Sequence, residues 1–233
     1  MRIALSVTLG SILFGSVLPA AQEYRLVAIP GANNCIQTNL ISTIPDGVFT
    51  ADNQLATPFI IAPIPATCGI TGAGACNFYD AFGFSGAGQA LTVDVLIPHV
   101  TKVYTLMNAY APNPGAQIAT IEFVGTGGAT NTFALVAGED IRDFYDGSFA
   151  NTLTNGISGV RALNAFMCSD PSTCLGAGGT GNVDTGYTGS YRVDEQEFTL
   201  SSEFASQELV RIVLTDTYNG SVPIILGITV ESK

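Results

Sequence analysis

Apolar and polar residues alternate along much of this chain with a period of two. Leu91, Val93, Val95 and Ile97 fall on one side of an extended run, and Val222, Ile224, Leu226, Ile228 and Val230 on one side of another. Successive side chains of a strand point to opposite faces, so such runs, bounded by Gly, Pro, Asn and Asp, predict antiparallel sheets with one buried face. Ten segments have strand length and β-branched or aromatic content: 24–29, 47–51, 59–62, 90–97, 103–107, 118–124, 131–136, 191–200, 209–215 and 222–230. Helical character is confined to 202–209 (SEFASQEL), enough for one or two turns. Without a long amphipathic helix, α/β architectures drop out, and the expected fold class is all-β, an antiparallel two-sheet β-sandwich.

Two stretches between these runs read as long loops, 63–88 and 156–189. Loops of that length inside a domain usually carry function or decoration. Each holds a close cysteine pair, Cys68 with Cys76 and Cys168 with Cys174, and a fifth cysteine, Cys35, lies apart. In an exported chain such residues read as disulfide material, and a preference for short loops gives two local staples with Cys35 free. No C-x-x-C pair is present, and there is one histidine, so zinc has no ligand set.

The N-terminus supplies the compartment. Arg2 precedes an uncharged run from 3 to 18, then Pro19, Ala20 and Ala21. That order of charged, apolar and small-residue regions predicts a secretory signal over residues 1–21, and a run interrupted by Gly10 and Gly15 makes a poor spanning helix. Cleavage leaves about 212 residues, read as one β-sandwich domain over 22–233 that is secreted, extracellular or periplasmic, and free of the membrane. Only 12% of residues are charged, the net charge is −11, and the eight Lys and Arg are scattered singly. A phosphate backbone would be repelled, so nucleic acid is not an expected partner.

Catalytic chemistry is hard to assemble from these residues. His99, the one histidine, is the sole base available to a Ser-His-Asp mechanism, and no G-x-S-x-G elbow accompanies it; Ser85 in GFSGAG and Ser158 in GISGV only approximate one. Gly176, Gly178 and Gly181 satisfy G-x-G-x-x-G, but the helix that would receive a phosphate does not follow. Carboxylates are the abundant group: Glu139, Asp140, Asp143 and Asp146 crowd together, with Asp184, Asp194, Glu195 and Glu197 downstream. A carboxylate-dependent glycoside hydrolase would need two of them across a sugar-sized cleft. Asp143 and Asp146 at a strand end could instead hold a structural Ca²⁺, and the plainest reading is an edge where Arg142 pairs with neighbouring acids. Aromatics suited to stacking are Tyr110, Phe144, Tyr145, Phe149, Tyr187 and Tyr218; the chain has no Trp.

The stretch VYTLMNAYAPNPGAQIATIEFVGTGGATNTFALVAGEDIRDFYDGSF, with the later YRVDEQEFTLSSEFASQELVRIVLTDTYNGSVPIILGITV, resembles galactose-binding-like jelly-roll domains, which include many carbohydrate-binding modules. The shared pattern is a V-Y-T-L-x-N strand, a hairpin ending in G-x-D-I-R-D, and a closing F-x-x-x-x-L-x-x-I run into the last strand, covering about half of the mature chain. The resemblance implies two sheets of four or five strands, a structural calcium in many members, and glycan binding by loops at one end. Carried over, it makes Asp140, Arg142 and Asp143 the binding edge, with Tyr145 as a contact; Tyr187 joins them as an exposed aromatic candidate. The expected function is therefore non-catalytic recognition of a glycan or cell-surface component. The alternative is an extracellular structural protein that self-associates, with Cys35 as a route to cross-linking.

Overall fold

The computed structural model describes residues 22–30, 47–51, 55–62, 88–144, 149–154, 160–168, 191–217 and 221–233. Eleven strands account for most of them: β1 (Glu23–Val27), β2 (Gly47–Thr50), β3 (Pro58–Ile61), β4 (Ala90–Pro98), β5 (Val100–Tyr110), β6 (Gln117–Gly125), β7 (Thr130–Val136), β8 (Val160–Cys168), β9 (Tyr191–Thr199), β10 (Glu208–Asp216) and β11 (Val222–Ser232). All strand pairs are antiparallel. One sheet runs β1-β11-β5-β9-β8, a second runs β4-β10-β6-β7, and β2 pairs with β3 alone. The expected all-β sandwich is what the chain forms.

The two larger sheets share one apolar core. Val103, Met107, Phe198, Ile225, Ile228 and Val230 face it from the first sheet, and Leu91, Val93, Ile121, Phe123, Ile212 and Leu214 from the second. Phe198 of β9 meets Phe123 of β6 and Phe133 of β7 at centroid distances of 5.4 and 5.3 Å, so aromatic packing joins the layers directly. Burying each such ring contributes roughly 1.5–3 kcal/mol. The alternation expected in β4 holds: Leu91 and Val93 are buried, and Val95 and Ile97 pack against the core.

In β11 the expected alternation breaks. Its pairing with β5 shifts register between Ile225 and Gly227, leaving Leu226 as an extra residue. A one-residue bulge moves the following positions to the other face. Ile225, Ile228 and Val230 therefore line the core, while Ile224 and Leu226 do not. On the outer face of this sheet the β2-β3 pair takes up position over β11. Phe59 seats against Gly227, where an added Cβ would lie 3.2 Å from the ring, and the Thr229 hydroxyl donates to the Pro58 carbonyl at 2.5 Å.

The chain crosses from the second sheet to the first at a single residue, His99, whose φ of 55° is left-handed. Its Nδ1 donates to the Ala205 carbonyl at 2.8 Å, and its own carbonyl accepts from the Lys233 amide at 3.2 Å. The histidine thus occupies a turn and ties it to the segment before β10. That segment is helical over Ser202–Ala205 only, as a 3-10 turn that buries Phe204, and β10 starts at Glu208. All ten predicted strands are present, with β5 longer than expected. The added strand is β8, which claims Val160–Cys168 from the expected loop 156–189.

Candidate functional site

The residues after β7 build the most elaborate polar structure in the described chain. Val136 ends the strand, and its carbonyl accepts the amides of Asp140 at 2.9 Å and Glu139 at 3.1 Å, closing a tight turn that needs the left-handed Gly138 (φ 90°). The Asp140 carboxylate completes the turn by accepting the Val136 amide at 2.9 Å through Oδ2. Its acidic side chain is short enough to fold back on its own backbone, a common use of Asp in turns.

The next residues fill a gap in the first sheet. The β5-β9 ladder ends at the pair Met107 and Asp194. Beyond it the Asn108 side chain substitutes for a strand neighbour, donating through Nδ2 to Asp194 Oδ2 at 2.7 Å and accepting the Asp194 amide at 3.0 Å. The Ala109 amide then donates to the Arg142 carbonyl at 2.9 Å, and the Phe144 amide to the Ala109 carbonyl at 3.1 Å, so the 142–144 segment runs beside the end of β5.

Arg142 thereby points inward at Asp194. Its Nε and Nη2 each donate to one carboxylate oxygen at 2.9 Å, and Nη1 donates to the Asn151 carbonyl at 3.0 Å. The two side chains are 3% and 0% exposed. A bidentate guanidinium-carboxylate pair at these distances is among the strongest hydrogen-bonded arrangements in proteins, and burial removes the solvent screening that weakens surface pairs.

The returning arm is pinned as firmly. The Asp143 amide donates to the Ala150 carbonyl at 2.9 Å, the Ala150 amide to Pro112 at 2.9 Å, and the Thr154 amide to Glu139 at 3.2 Å. The Thr154 hydroxyl adds a bond to the Gly138 carbonyl at 2.9 Å. The segments 137–144 and 149–154 are therefore both fixed to the sandwich end.

Asp140, Arg142 and Asp143 come together here, and all three are buried. They hydrogen-bond to the turn, to Asp194 and to the loop arms, and form the floor of this end and not its outer surface. Tyr145, Asp146 and Tyr187 lie outside the described residues, as do Tyr218, the segment 1–21, Cys35, Cys68, Cys76, Cys174 and the glycines 176–181. Cys168 closes β8.

What this floor carries outward is aromatic. Tyr110, the last residue of β5, is 39% exposed, and its ring stacks on Phe144 with centroids 6.2 Å apart and planes at 20°. Phe149, on the returning arm beside Ala150, is 42% exposed. Between Tyr110 and Pro112 the backbone turns through Ala111 at φ 50°, a left-handed conformation that costs an alanine on the order of 1–2 kcal/mol. Of the two residues that carry the floor, Asp194 stands in the sequence only as one of the downstream carboxylates, and Asn108 is not marked there at all. The one hint in the sequence is that each is polar within an otherwise strand-like run.

A second polar group stands on the outer face of the five-stranded sheet. Glu231 of β11 accepts the Tyr104 hydroxyl at 2.6 Å and the Thr101 hydroxyl at 2.8 Å, and Glu197 of β9 pairs with Lys102 at 3.2 Å. Tyr24 of β1 packs edge-on against Tyr104 at 6.1 Å. Burial, then the nearby Glu231, raises the pKa of both tyrosines above the ordinary phenol value. These contacts link β1, β11, β5 and β9 side by side. Among the described residues no group of three His, Cys, Asp or Glu is arranged to hold a metal ion, and no helix is long and apolar enough to cross a membrane.

Compared with known proteins, the chain matches no family model and no curated protein.

Proposed function

We propose that this chain is a secreted, non-catalytic binding module of jelly-roll topology that recognises a glycan or another cell-surface component at the end of the sandwich carrying Tyr110 and Phe149. The topological part is supported by strand order. In β1-β11-β5-β9 facing β4-β10-β6-β7, the chain changes sheet at every step except the β6-β7 hairpin, as two interlocked Greek keys do, with β8 added at one edge and β2-β3 inserted between β1 and β4. The same order agrees with the resemblance to galactose-binding-like domains carried by the V-Y-T-L-x-N and G-x-D-I-R-D stretches. Secretion is supported by the leader-like residues 1–21.

The observation that carries the binding reading is the exposed aromatic pair on a rigid base. Tyr110 and Phe149 hold 39% and 42% exposure on segments fixed by the buried Arg142-Asp194 pair. Preorganised aromatic faces lose little freedom on binding and offer apolar area to the C–H face of a sugar ring. Asp140, Arg142 and Asp143 then serve as positioning residues beneath the contact surface. Tyr145, between the two fixed arms in sequence, is the further contact expected.

The test is a polysaccharide and glycan-array screen of the purified chain, repeated with Tyr110→Ala and Phe149→Ala. Each substitution weakens binding about tenfold, a loss of roughly 1.4 kcal/mol. Thr132→Ala, on an exposed position of β7, leaves binding unchanged. Retained affinity in both aromatic variants would remove this end of the sandwich from the reading.

A further inference from the structure

The two larger sheets end in β1 and β8 and in β4 and β7. An open edge invites another strand, and proteins block it with charge, Pro or a break in register. β1 carries Glu23 and Arg25, β4 carries Asp94 and ends at Pro98, and β8 carries Arg161 and a register shift between Asn164 and Phe166. β7, TNTFALV, has no charged residue and no Pro, and its register with β6 is unbroken from Thr130 to Leu135. Its edge is the one left unguarded.

Backbone groups along β7 alternate in direction, and two hydrogen bonds fix the phase. The Ala129 carbonyl accepts the Gly125 amide and the Ala137 amide donates to the Ala116 carbonyl, both at 2.8 Å, so these odd-numbered positions turn toward β6. Thr130, Thr132, Ala134 and Val136 therefore turn their N–H and C=O groups outward. Val136 is closed off, because Asp140 Oδ2 accepts its N–H at 2.9 Å and its carbonyl accepts the Asp140 amide at 2.9 Å. The Thr130 carbonyl accepts the Asn131 side chain at 3.0 Å. Among the described residues no other backbone bond reaches Thr130, Thr132 or Ala134 from the outer side, and all three residues are exposed.

We propose that two copies of the chain join at this edge, β7 against β7, antiparallel about Thr132. Thr132 then faces the second copy's Thr132, and Thr130 faces its Ala134. Each such pair exchanges both N–H···O=C bonds, because the outward groups of one strand match those of the other. Threonine opposite threonine is a favourable cross-strand pair, whereas the same pairing of β4 centred on Asp94 would set two carboxylates face to face. Across the ladder from Thr132 stands Glu122 of β6. Three strand spacings separate it from the second copy's Glu122, about 14 Å, beyond the screening length of about 8 Å at 0.15 M salt. The net charge of −11 holds copies apart at low salt, so association strengthens as salt rises to that level. This pairing is independent of what Tyr110 and Phe149 bind. It points those ends of the two copies in opposite directions along one continuous sheet.

Sedimentation equilibrium of the purified chain at about 0.15 M salt tests the pairing; a strand contact this short is a small interface, so loading runs from about 5 μM to about 1 mM. The wild type shows a reversible monomer-dimer equilibrium. Thr132→Pro weakens it at least about tenfold by deleting the central N–H of each copy. That N–H takes no part in the ladder with β6, so the monomer keeps its melting temperature. Thr132→Lys and Thr132→Glu are each monomeric at every loading, and an equimolar mixture of the two recovers the dimer. A wild type that stays monomeric at the highest loading would overturn the proposal, as would a dimer that Thr132→Lys or Thr132→Pro leaves intact. A mixture of the Lys and Glu variants that stays monomeric would rule out the register about Thr132.

Discussion

Replacing Arg142 by methionine removes the cation from the floor and keeps most of its apolar stem. Asp194 then loses two hydrogen bonds of 2.9 Å while remaining fully buried, and the Asn151 carbonyl loses its bond from Nη1 at 3.0 Å. Charge-assisted bonds contribute about 1.5–3 kcal/mol each, and breaking a buried pair by removing one partner costs about 3–5 kcal/mol because the remaining charge is uncompensated. With side chains only 3% and 0% exposed, no discount for solvent screening applies. For a chain of this size the loss lowers Tm by about 6–20 °C. Guanidinium denaturation and thermal melts measure it, with Arg211→Met as the internal reference. The Arg211-Asp94 pair is comparably close, at 3.2 Å, but 52% and 80% exposed, so its loss costs at most about 0.5 kcal/mol. The double variant Arg142→Met, Asp194→Leu recovers part of the loss, since neither charge is then stranded. If Arg142→Met cost no more than Arg211→Met, the floor would not be held by this pair, and the argument that it preorganises Tyr110 and Phe149 would fall.

Three further outcomes follow from the same structure. Gly227→Val places side-chain atoms where even a Cβ lies 3.2 Å from Phe59, so it destabilises by about 1–3 kcal/mol and increases proteolysis between residues 47 and 61 as the β2-β3 pair loses its seat; an unchanged denaturation midpoint would contradict the packing. Ala111→Gly relieves a left-handed alanine at φ 50° and, after the entropic penalty of glycine, raises stability by about 0.5 kcal/mol in urea titrations, where a loss above about 1 kcal/mol would be the wrong sign. The third concerns alkaline pH. Tyr104 is neutral in the folded state, and burial with Glu231 and Glu197 nearby raises its pKa above the ordinary value of 10.0. The folded state therefore holds the proton that the unfolded chain releases, so this contribution is fully present below about pH 10 and declines above it, by at most about 1.4 kcal/mol per pH unit. Tyr104→Phe flattens that decline between about pH 10 and pH 11 in denaturant titrations, and an identical slope in both proteins would refute the assignment.

Much of the fold was legible because period-two patterns are a local property. The β4 face of Leu91, Val93, Val95 and Ile97 needed no knowledge of its partners, and the structure packs all four toward the core. The β11 face was misread because the bulge at Leu226 is set by pairing with β5, and a register shift leaves no mark in the apolar residues themselves. β8 was missed for a different reason. VRALNAFMC is poor in β-branched residues, so its extended form reflects its place beside β9 more than its own preference.

The site was legible in chemistry and not in geometry. The sequence marked DIRD as an acid-arginine cluster, but Arg142 reaches Asp194, 52 residues away, because β9 leaves β5 at that point and the 142–144 segment enters the gap. Burial of Asp140, Arg142 and Asp143 then assigns exposure to Tyr110 and Phe149, two aromatics that composition alone could not separate from the core rings Phe123 and Phe198.

The central claim is recognition at the aromatic end, and the most direct measurement is isothermal titration of the polysaccharide that binds best against the wild-type chain and the double variant Tyr110→Ala, Phe149→Ala. The account predicts saturable binding to the wild type and a loss of about a hundredfold in a double variant that melts within a few degrees of it. Equal affinity in the two proteins would contradict the claim.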